Sequence, residues 1–305
     1  MNQPRAAAAA DSRYAFGVVC VFAAGLCWSI GGLVVRLMES AQEWQILFYR
    51  SLTLAVFLFL LITLRSGGHA LRVFARAGKR SLAAGAVLSV AFMFWIFALT
   101  HTTVANALFL LCTATFITAL LGWIFLGESV RRATWIAMTA ATIGAGVMVY
   151  EGVVSGNLFG NLMALGASVG FSIFAVILRS GKNRDMTPAA FWAGFCSLVA
   201  TGAYIALFTD LGFAVSGRDF FLCATMGMVQ VGLGLFLLAL GASHVPATEM
   251  ALLSLVEVVL GTVWVWIFIG EVPSALTIIG GGVMFASIAG YAIRSVRRPP
   301  PMGVV

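Results

Sequence analysis

Ten apolar stretches of roughly 18–24 residues, separated by short polar joints, restrict this chain to one kind of solvent. They fall at 15–38, 44–65, 81–99, 104–126, 132–149, 156–179, 189–209, 220–242, 247–268 and 274–294. At 1.5 Å per helical residue, each matches a hydrocarbon core about 30 Å thick. The composition agrees, with 61% hydrophobic residues, 10% charged residues and a mean hydropathy of +1.03, far from the charge content of a water-soluble domain. Hydrocarbon offers no partner to a backbone N–H or C=O, so a span must be a helix or part of a closed barrel. The alternation of a barrel strand is missing from these segments, which predicts an all-α polytopic membrane protein of ten transmembrane helices. Its seven prolines (Pro4, Pro188, Pro246, Pro273, Pro299, Pro300 and Pro301) avoid the span interiors, which predicts continuous helices. Cys20, Cys27, Cys112, Cys196 and Cys223 all lie in apolar spans without metal-ligand spacing, and read as small packing residues; neither a metal nor another cofactor is expected. The Ala6–Ala10 run precedes the first apolar segment and that segment is too long for a signal-peptide core, so the first span is expected to remain in the mature chain.

The net charge of +7 raises the question of nucleic acid, and the placement of the basic residues answers it. With the N-terminus inside, fifteen of the eighteen Lys and Arg residues fall on cytoplasmic segments: Arg5, Arg13, Arg65, Arg72, Arg76, Lys79, Arg80, Arg131, Arg132, Arg179, Lys182, Arg184, Arg294, Arg297 and Arg298. Arg36 and Arg218 fall on the other side with Glu39, Glu43, Glu151, Asp210, Asp219 and Glu271, while Arg50 falls inside the second span. Both termini are therefore expected to be cytoplasmic, and the expected partner of the apolar surface is lipid, not nucleic acid; a homo-oligomer is compatible with the sequence.

Comparing the chain with itself reveals a constant shift of 143 residues: His101 with His244, Trp123 with Trp266, Gly127 with Gly270 and Glu128 with Glu271. The same shift pairs Ser29 with Ser172, Arg36 with Arg179 and Phe48 with Phe191. Five spans are thus followed by five more, and an odd number per copy inverts the second copy in the membrane. The expected organisation is a tail at 1–14, repeats at 15–149 and 156–294, and a tail at 295–305.

At these residues the chain resembles the drug/metabolite transporter superfamily, in its ten-span bacterial form with two EamA-like halves. Trp28 with Arg36, and Phe171 with Arg179, match the aromatic and basic residues eight positions apart in the first span of each family half. Arg50 matches a second-span Arg, although Ala193 stands at the mirrored position. Leu126–Gly127–Glu128 and Ile269–Gly270–Glu271 match the family's Leu-Gly-Glu turn. Many members carry Glu-Pro in the ninth span; here Val258 follows Glu257, and Thr115 mirrors Val258. The resemblance implies a bacterial inner-membrane location and transport of a small-molecule solute by alternating access between the halves.

Glu257 sits near the centre of the ninth span, where an acidic side chain costs roughly 2.5–3.5 kcal/mol, so it must face protein or water. Two roles remain open for it: a group that pairs helices, or a protonatable group on the solute path. Arg50, near 10 Å deep by helical rise, is its natural partner, and a fixed Arg50–Glu257 pair would favour the pairing role. Arg36 and Arg179 lie nearer span ends, where snorkelling is the expected behaviour. His101 and His244 occupy loops on opposite sides and cannot share a metal. Asn106 and Glu249 begin the fourth and ninth spans as capping or gate groups, and Glu128 and Glu271 as turn residues.

Trp28 and Ser29 of the first span, Phe92 and Trp95 of the third, Phe171 and Ser172 of the sixth and Gln230 of the eighth complete the candidate pathway with Asn106 and Glu249. Helix packing alone explains the runs Gly144-Ala145-Gly146 and Gly280-Gly281-Gly282. The leading expectation is a secondary transporter working as an exporter of amino-acid-like, aromatic or amphipathic metabolites, with protons as a candidate coupling ion. An uncoupled facilitator, exchanger or channel is the alternative. The chain lacks a P-loop, H-E-x-x-H and G-x-S-x-G, which weakens any pump or intramembrane-enzyme reading.

Overall fold

The computed structural model describes residues 3–127, 132–180, 188–242, 244–245 and 247–297. Glu128, Arg131, Lys182, Arg184 and Pro246 lie outside the described residues, as do the side chains of Arg179 and Glu249. Among the described residues every regular element is helical. The first span is α1 (Gln3–Ser29) with α2 (Gly31–Arg36), followed by α3 (Glu43–Arg65) and α4 (Ala70–His101). The fourth span is α5 (Val104–Leu111) with α6 (Ala114–Leu126), and the fifth is α7 (Arg132–Ser155). The sixth and seventh are α8 (Leu158–Ser180) and α9 (Pro188–Phe208). The eighth joins α10 (Gly217–Thr225), a π-helical segment Met226–Leu233 and α11 (Gly234–Ala242); α12 (Ala247–Ile269) and α13 (Ala275–Arg297) close the chain.

Eight of these stretches are long and apolar enough to cross a membrane. The last two have shorter apolar windows among the described residues, Val256–Ile269 and Ala275–Ser287, within helices of 23 residues each. A rise of about 35 Å per 23-residue helix still covers the hydrocarbon. Large apolar side chains such as Ile136, Phe208, Ile267 and Phe268 stand exposed around the bundle, a surface suited to lipid rather than water.

The packing repeats with the sequence shift. The third span packs on the sixth (α4 on α8), and its counterpart pairs the eighth with the first (α11 on α1). The fourth span on the sixth (α6 on α8) is answered by the ninth on the first (α12 on α1). Two contacts, α3 with α9 and α7 with α13, map onto themselves. Arg36 at the end of α2 meets Glu271 after α12, and the loop at Gly212–Ala214 receives Gln45. His101 lies against the start of α8, so α8 begins at the end of the bundle where α2 finishes. Counterpart spans therefore run in opposite directions.

Backbone closeness explains part of each glycine run. A Cβ at Gly144 would lie 2.5 Å from the Gly280 carbonyl oxygen, and one at Gly280 would lie 2.7 Å from that of Gly144. Gly281 presses on the Phe109 ring, whereas Gly146 and Gly282 have open space. Small residues let α7 and α13 meet without a side chain between them.

The expected continuity of the spans is corrected at three places despite the absence of interior proline. The first span turns at Ile30, between α1 and α2. The fourth turns at Cys112 and Thr113, where side chains of α8 supply hydrogen bonds to its carbonyls: Ser168 Oγ donates to Leu110 O at 2.9 Å and Ser172 Oγ to Ala114 O at 3.0 Å. Satisfied from outside, those carbonyls tolerate a tightened turn. In the eighth span the backbone lies hard against α3. A Cβ at Gly227 would sit 2.0 Å from Thr53 Oγ1 and 2.4 Å from the Arg50 carbonyl oxygen.

Candidate solute cavity

A cavity of about 260 Å³ opens in the middle of the bundle. Its wall is largely aromatic: Trp28 from α1, Phe92 and Trp95 from α4, and Phe171 and Phe174 from α8. Leu88, Leu111, Ala114, Val231 and Leu235 fill between the rings. Three strongly polar side chains break this apolar surface: Arg50 from α3, Gln230 from the π segment and Glu257 from α12. The two charges come from opposite halves of the chain.

Arg50 is only 1% exposed, yet its Nε and Nη1 have no hydrogen-bond partner among the described residues. Its guanidinium lies over the Phe92 ring, 4.3 Å from the centroid. A desolvated cation–π contact contributes about 2 kcal/mol, against roughly 2.5–3.5 kcal/mol for an Arg at the centre of a span. The ring offsets part of the cost and leaves the N–H groups free. Gln230 is 6% exposed and its Oε1 is likewise unpartnered among the described residues. Glu257 is half-buried and faces the same cavity. No ion pair joins Arg50 to Glu257 among the described residues.

The π segment explains Gln230. One extra residue per turn locally re-aims a side chain, and such segments recur at functional sites. Gly227 presses its backbone onto α3 at the Arg50 carbonyl, and Gly234 admits the Trp28 indole, so the segment is held between two helices that also line the cavity.

Beyond the cavity, toward the end where α2 finishes, polar bonds cross between the halves. Arg36 Nε donates to Glu271 Oε2 at 2.8 Å, while Nη1 and Nη2 donate to the Leu99 and Thr102 carbonyls at 2.9 and 2.7 Å. The other Glu271 oxygen accepts the Val104 N–H at 2.6 Å, capping the first turn of α5. Thr277 Oγ1 donates to Asn106 Oδ1 at 2.6 Å. Fully buried Asp219 accepts the N–H groups of Glu39, Ser40 and Ala41, and Arg218 pairs with Glu39. A polar recess of about 590 Å³ lies there, lined in part by Arg36, Ser40 and Glu43.

The structure brings together Trp28, Phe92, Trp95, Phe171 and Gln230 with Arg50 and Glu257. Ser29 and Ser172 stay outside the cavity wall: Ser29 accepts the Trp264 indole N–H and donates to Leu26 O, and Ser172 bonds α6. Asn106 belongs to the end cluster, with Thr102 and Thr277. Arg36 does not snorkel, because carbonyls and Glu271 meet all three of its nitrogens. Glu271 is more than a turn residue for the same reason. Phe174 had a readable signal, since it follows Phe171 at helical spacing on the same face; the π segment had none.

The EamA-like transporter family matches this sequence twice, at residues 15–150 and 158–293. The chain belongs to that family. It is a multi-pass membrane transporter with a repeated architecture. The pseudopaline exporter CntI of Pseudomonas aeruginosa is 27% identical over 274 residues in each of two strains, an alignment that covers 87% of this chain and 92% of the exporter. A solved crystal structure at 18% identity covers 93% of this chain and 98% of its own, with a TM-score of 0.64, a likeness of fold.

Proposed function

We propose that this chain is a secondary transporter that exports small amino-acid-like, aromatic or amphipathic metabolites across a bacterial inner membrane. The carrying observation is the cavity in which Arg50 and Glu257, from opposite halves, stand unpaired to each other beside Gln230. Exporter function in a relative that aligns along most of both chains supports the direction. Its two inverted halves, 15–149 and 156–294, work as the moving units, and the solute alternates sides between them. Lys and Arg placement makes the Arg36 end external and both termini cytoplasmic. In this state the bonds from Arg36 to Glu271 and from Asn106 to Thr277 close the external side over the cavity.

Glu257 carries the coupling proton. The ionisable groups near it are Arg50 across the cavity and the Cys112 thiol at the end of α5. A separated Arg50 and Glu257 fits this role better than a fixed helix-locking pair. Proteoliposomes provide the test: solute-driven proton movement and labelled counterflow are compared between the wild-type protein and Glu257→Gln. Saturable flux whose pH response disappears in a folded variant is expected. Equal pH response in both proteins moves the assignment to an uncoupled exchanger, and the absence of saturable flux for any solute removes the transporter mechanism.

A further inference from the structure

We propose that residues 64–80, where the second span passes into the third, form a binding surface for the headgroup of an anionic phospholipid. The chain does not run straight from one span into the next. Gly78 takes a φ of +67° inside α4, a left-handed conformation that favours glycine, and so sets residues 70–77 apart as a short helix ahead of the third span. Helical spacing divides that segment into three faces. Ala70 and Ala77 are buried and Phe74 half-buried on the first, where the Phe74 ring meets those of Phe191 and Trp192 on α9 at 4.8 and 5.7 Å between centroids. Leu71 and Ala75 form a second, exposed face, and Arg72 and Arg76 a third. Ring contacts thus hold the segment in place while two of its faces look outward.

What those outward faces carry decides the partner. Leu71 is 80% exposed and Leu64, near the end of α3, 79%, the most of any large apolar side chains among the described residues. Beside them stand Arg65, Arg72, Arg76, Lys79 and Arg80, all exposed. No Asp or Glu occurs between Glu43 and Glu128, and among the described residues none of these five cations pairs with a carboxylate. Arg65 lies 5.5 Å from the Phe236 ring centroid and Arg80 Nη1 reaches Ser180 O at 3.3 Å, contacts that occupy few of their donors. The sidedness of Lys and Arg accounts for basic residues at this end, but not for a surface helix among them or for bare leucines beside them. The repeat does not require them either, since the shift of 143 carries Arg65, Arg72, Arg76, Lys79 and Arg80 onto Phe208, Val215, Asp219, Leu222 and Cys223. A soluble anion would meet the charges and leave both leucines in water. A neutral lipid would cover the leucines and leave the cations without a counter-charge. An anionic phospholipid brings acyl chains and a negative charge together, at the depth where Lys and Arg stems reach up from apolar surroundings to the headgroups. Because α4 continues from here to Leu88, Phe92 and Trp95, a lipid held at its start is attached to one wall of the cavity.

The test adds dioleoyl phosphatidylglycerol or dioleoyl phosphatidylcholine to the purified full-length protein in detergent and reads the retained lipid by native mass spectrometry. Phosphatidylglycerol should bind about tenfold or more tightly than phosphatidylcholine. Arg72→Gln, Arg76→Gln and Lys79→Gln combined should abolish that preference. Arg294→Gln, Arg297→Gln and Arg298→Gln combined remove as much charge from the C-terminal end and should preserve it. Inorganic phosphate at the concentration of the lipid should not displace phosphatidylglycerol, because it brings nothing to cover Leu64 and Leu71. A second measurement uses the wild-type protein alone: a photoactivatable phosphatidylglycerol in liposomes should label the peptide 64–80. Equal retention of the two lipids, equal loss of preference in both variants, displacement by phosphate, or labelling confined to other segments overturns the proposal.

Discussion

Two Arg–Glu combinations span the halves of this protein, and they are built oppositely. At the end of α2, Arg36 meets Glu271 at 2.8 Å, and the other two Arg36 nitrogens and the other Glu271 oxygen bond the backbone at Leu99, Thr102 and Val104. In the middle of the bundle, Arg50 and Glu257 line one cavity with no ion pair between them among the described residues, and Arg50 rests on a ring instead. The first arrangement gives each Arg36 nitrogen and each Glu271 oxygen a protein partner. The second leaves Arg50 Nε and Nη1 and Gln230 Oε1 without a protein partner among the described residues, a costly placement in a low-dielectric interior that a ligand would relieve. In the proposed transporter, similar residues would serve as a closure in one place and as a receptor in the other.

The largest effect should follow from the receptor pair. Arg50→Gln should lower saturable solute flux by about a hundredfold, as expected when a buried charge contact worth roughly 2–5 kcal/mol is lost, whereas Glu257→Gln should keep saturable flux and lose its pH response. The comparison sharpens further with Arg50→Met. Because the native guanidinium has unpartnered N–H groups, this substitution should abolish flux without lowering the melting temperature of the solute-free protein. A melting temperature that falls steeply would mean that Arg50 is a structural pair after all.

Glu271→Gln should behave differently, with a smaller effect on solute affinity and a clear loss of stability of about 1–3 kcal/mol, since it leaves the Arg36 guanidinium short of its counter-charge. A double-mutant cycle of Arg36→Gln with Glu271→Gln, read by thermal denaturation in detergent, should show the two substitutions to be non-additive. The same cycle on Arg50 and Glu257 in the empty protein should show little coupling. Comparable coupling in both cycles would erase the distinction between closure and receptor.

The smallest effects lie in the glycine runs. Gly144→Ala should cost about 1–3 kcal/mol through overpacking on Gly280, whereas Gly146→Ala should be neutral within about 0.5 kcal/mol. Folded yield after detergent extraction, followed by size-exclusion chromatography, checks both.

Much of this architecture is legible in the sequence. Apolar segment length specifies helices because lipid forbids other backbone solutions, and WIFLGE against WIFIGE, residues 123–128 and 266–271, exposes the repeat. Glu257, Arg50, Gln230 and the aromatic residues could be nominated because a polar or large flat side chain inside a span is unusual. Which polar groups would remain free was not legible. Ser29 and Ser172 look like pathway residues by type, but a neighbouring indole and a helix carbonyl claim them. Arg36 sits at a span end like any snorkelling residue, and its three partners come from segments 63 or more positions away. Proline placement failed to reveal the interruptions, because tertiary hydrogen bonds and backbone contact with α3 act on the fourth and eighth spans from outside.

The most direct measurement is an experimental structure of the protein with its transported solute bound. The account predicts solute density between the α3 and α12 walls of the cavity, with an acceptor within hydrogen-bond distance of Arg50 Nε or Nη1 and a donor near Glu257. A loaded structure in which Arg50 and Glu257 bond directly to each other, with the solute elsewhere, would contradict it.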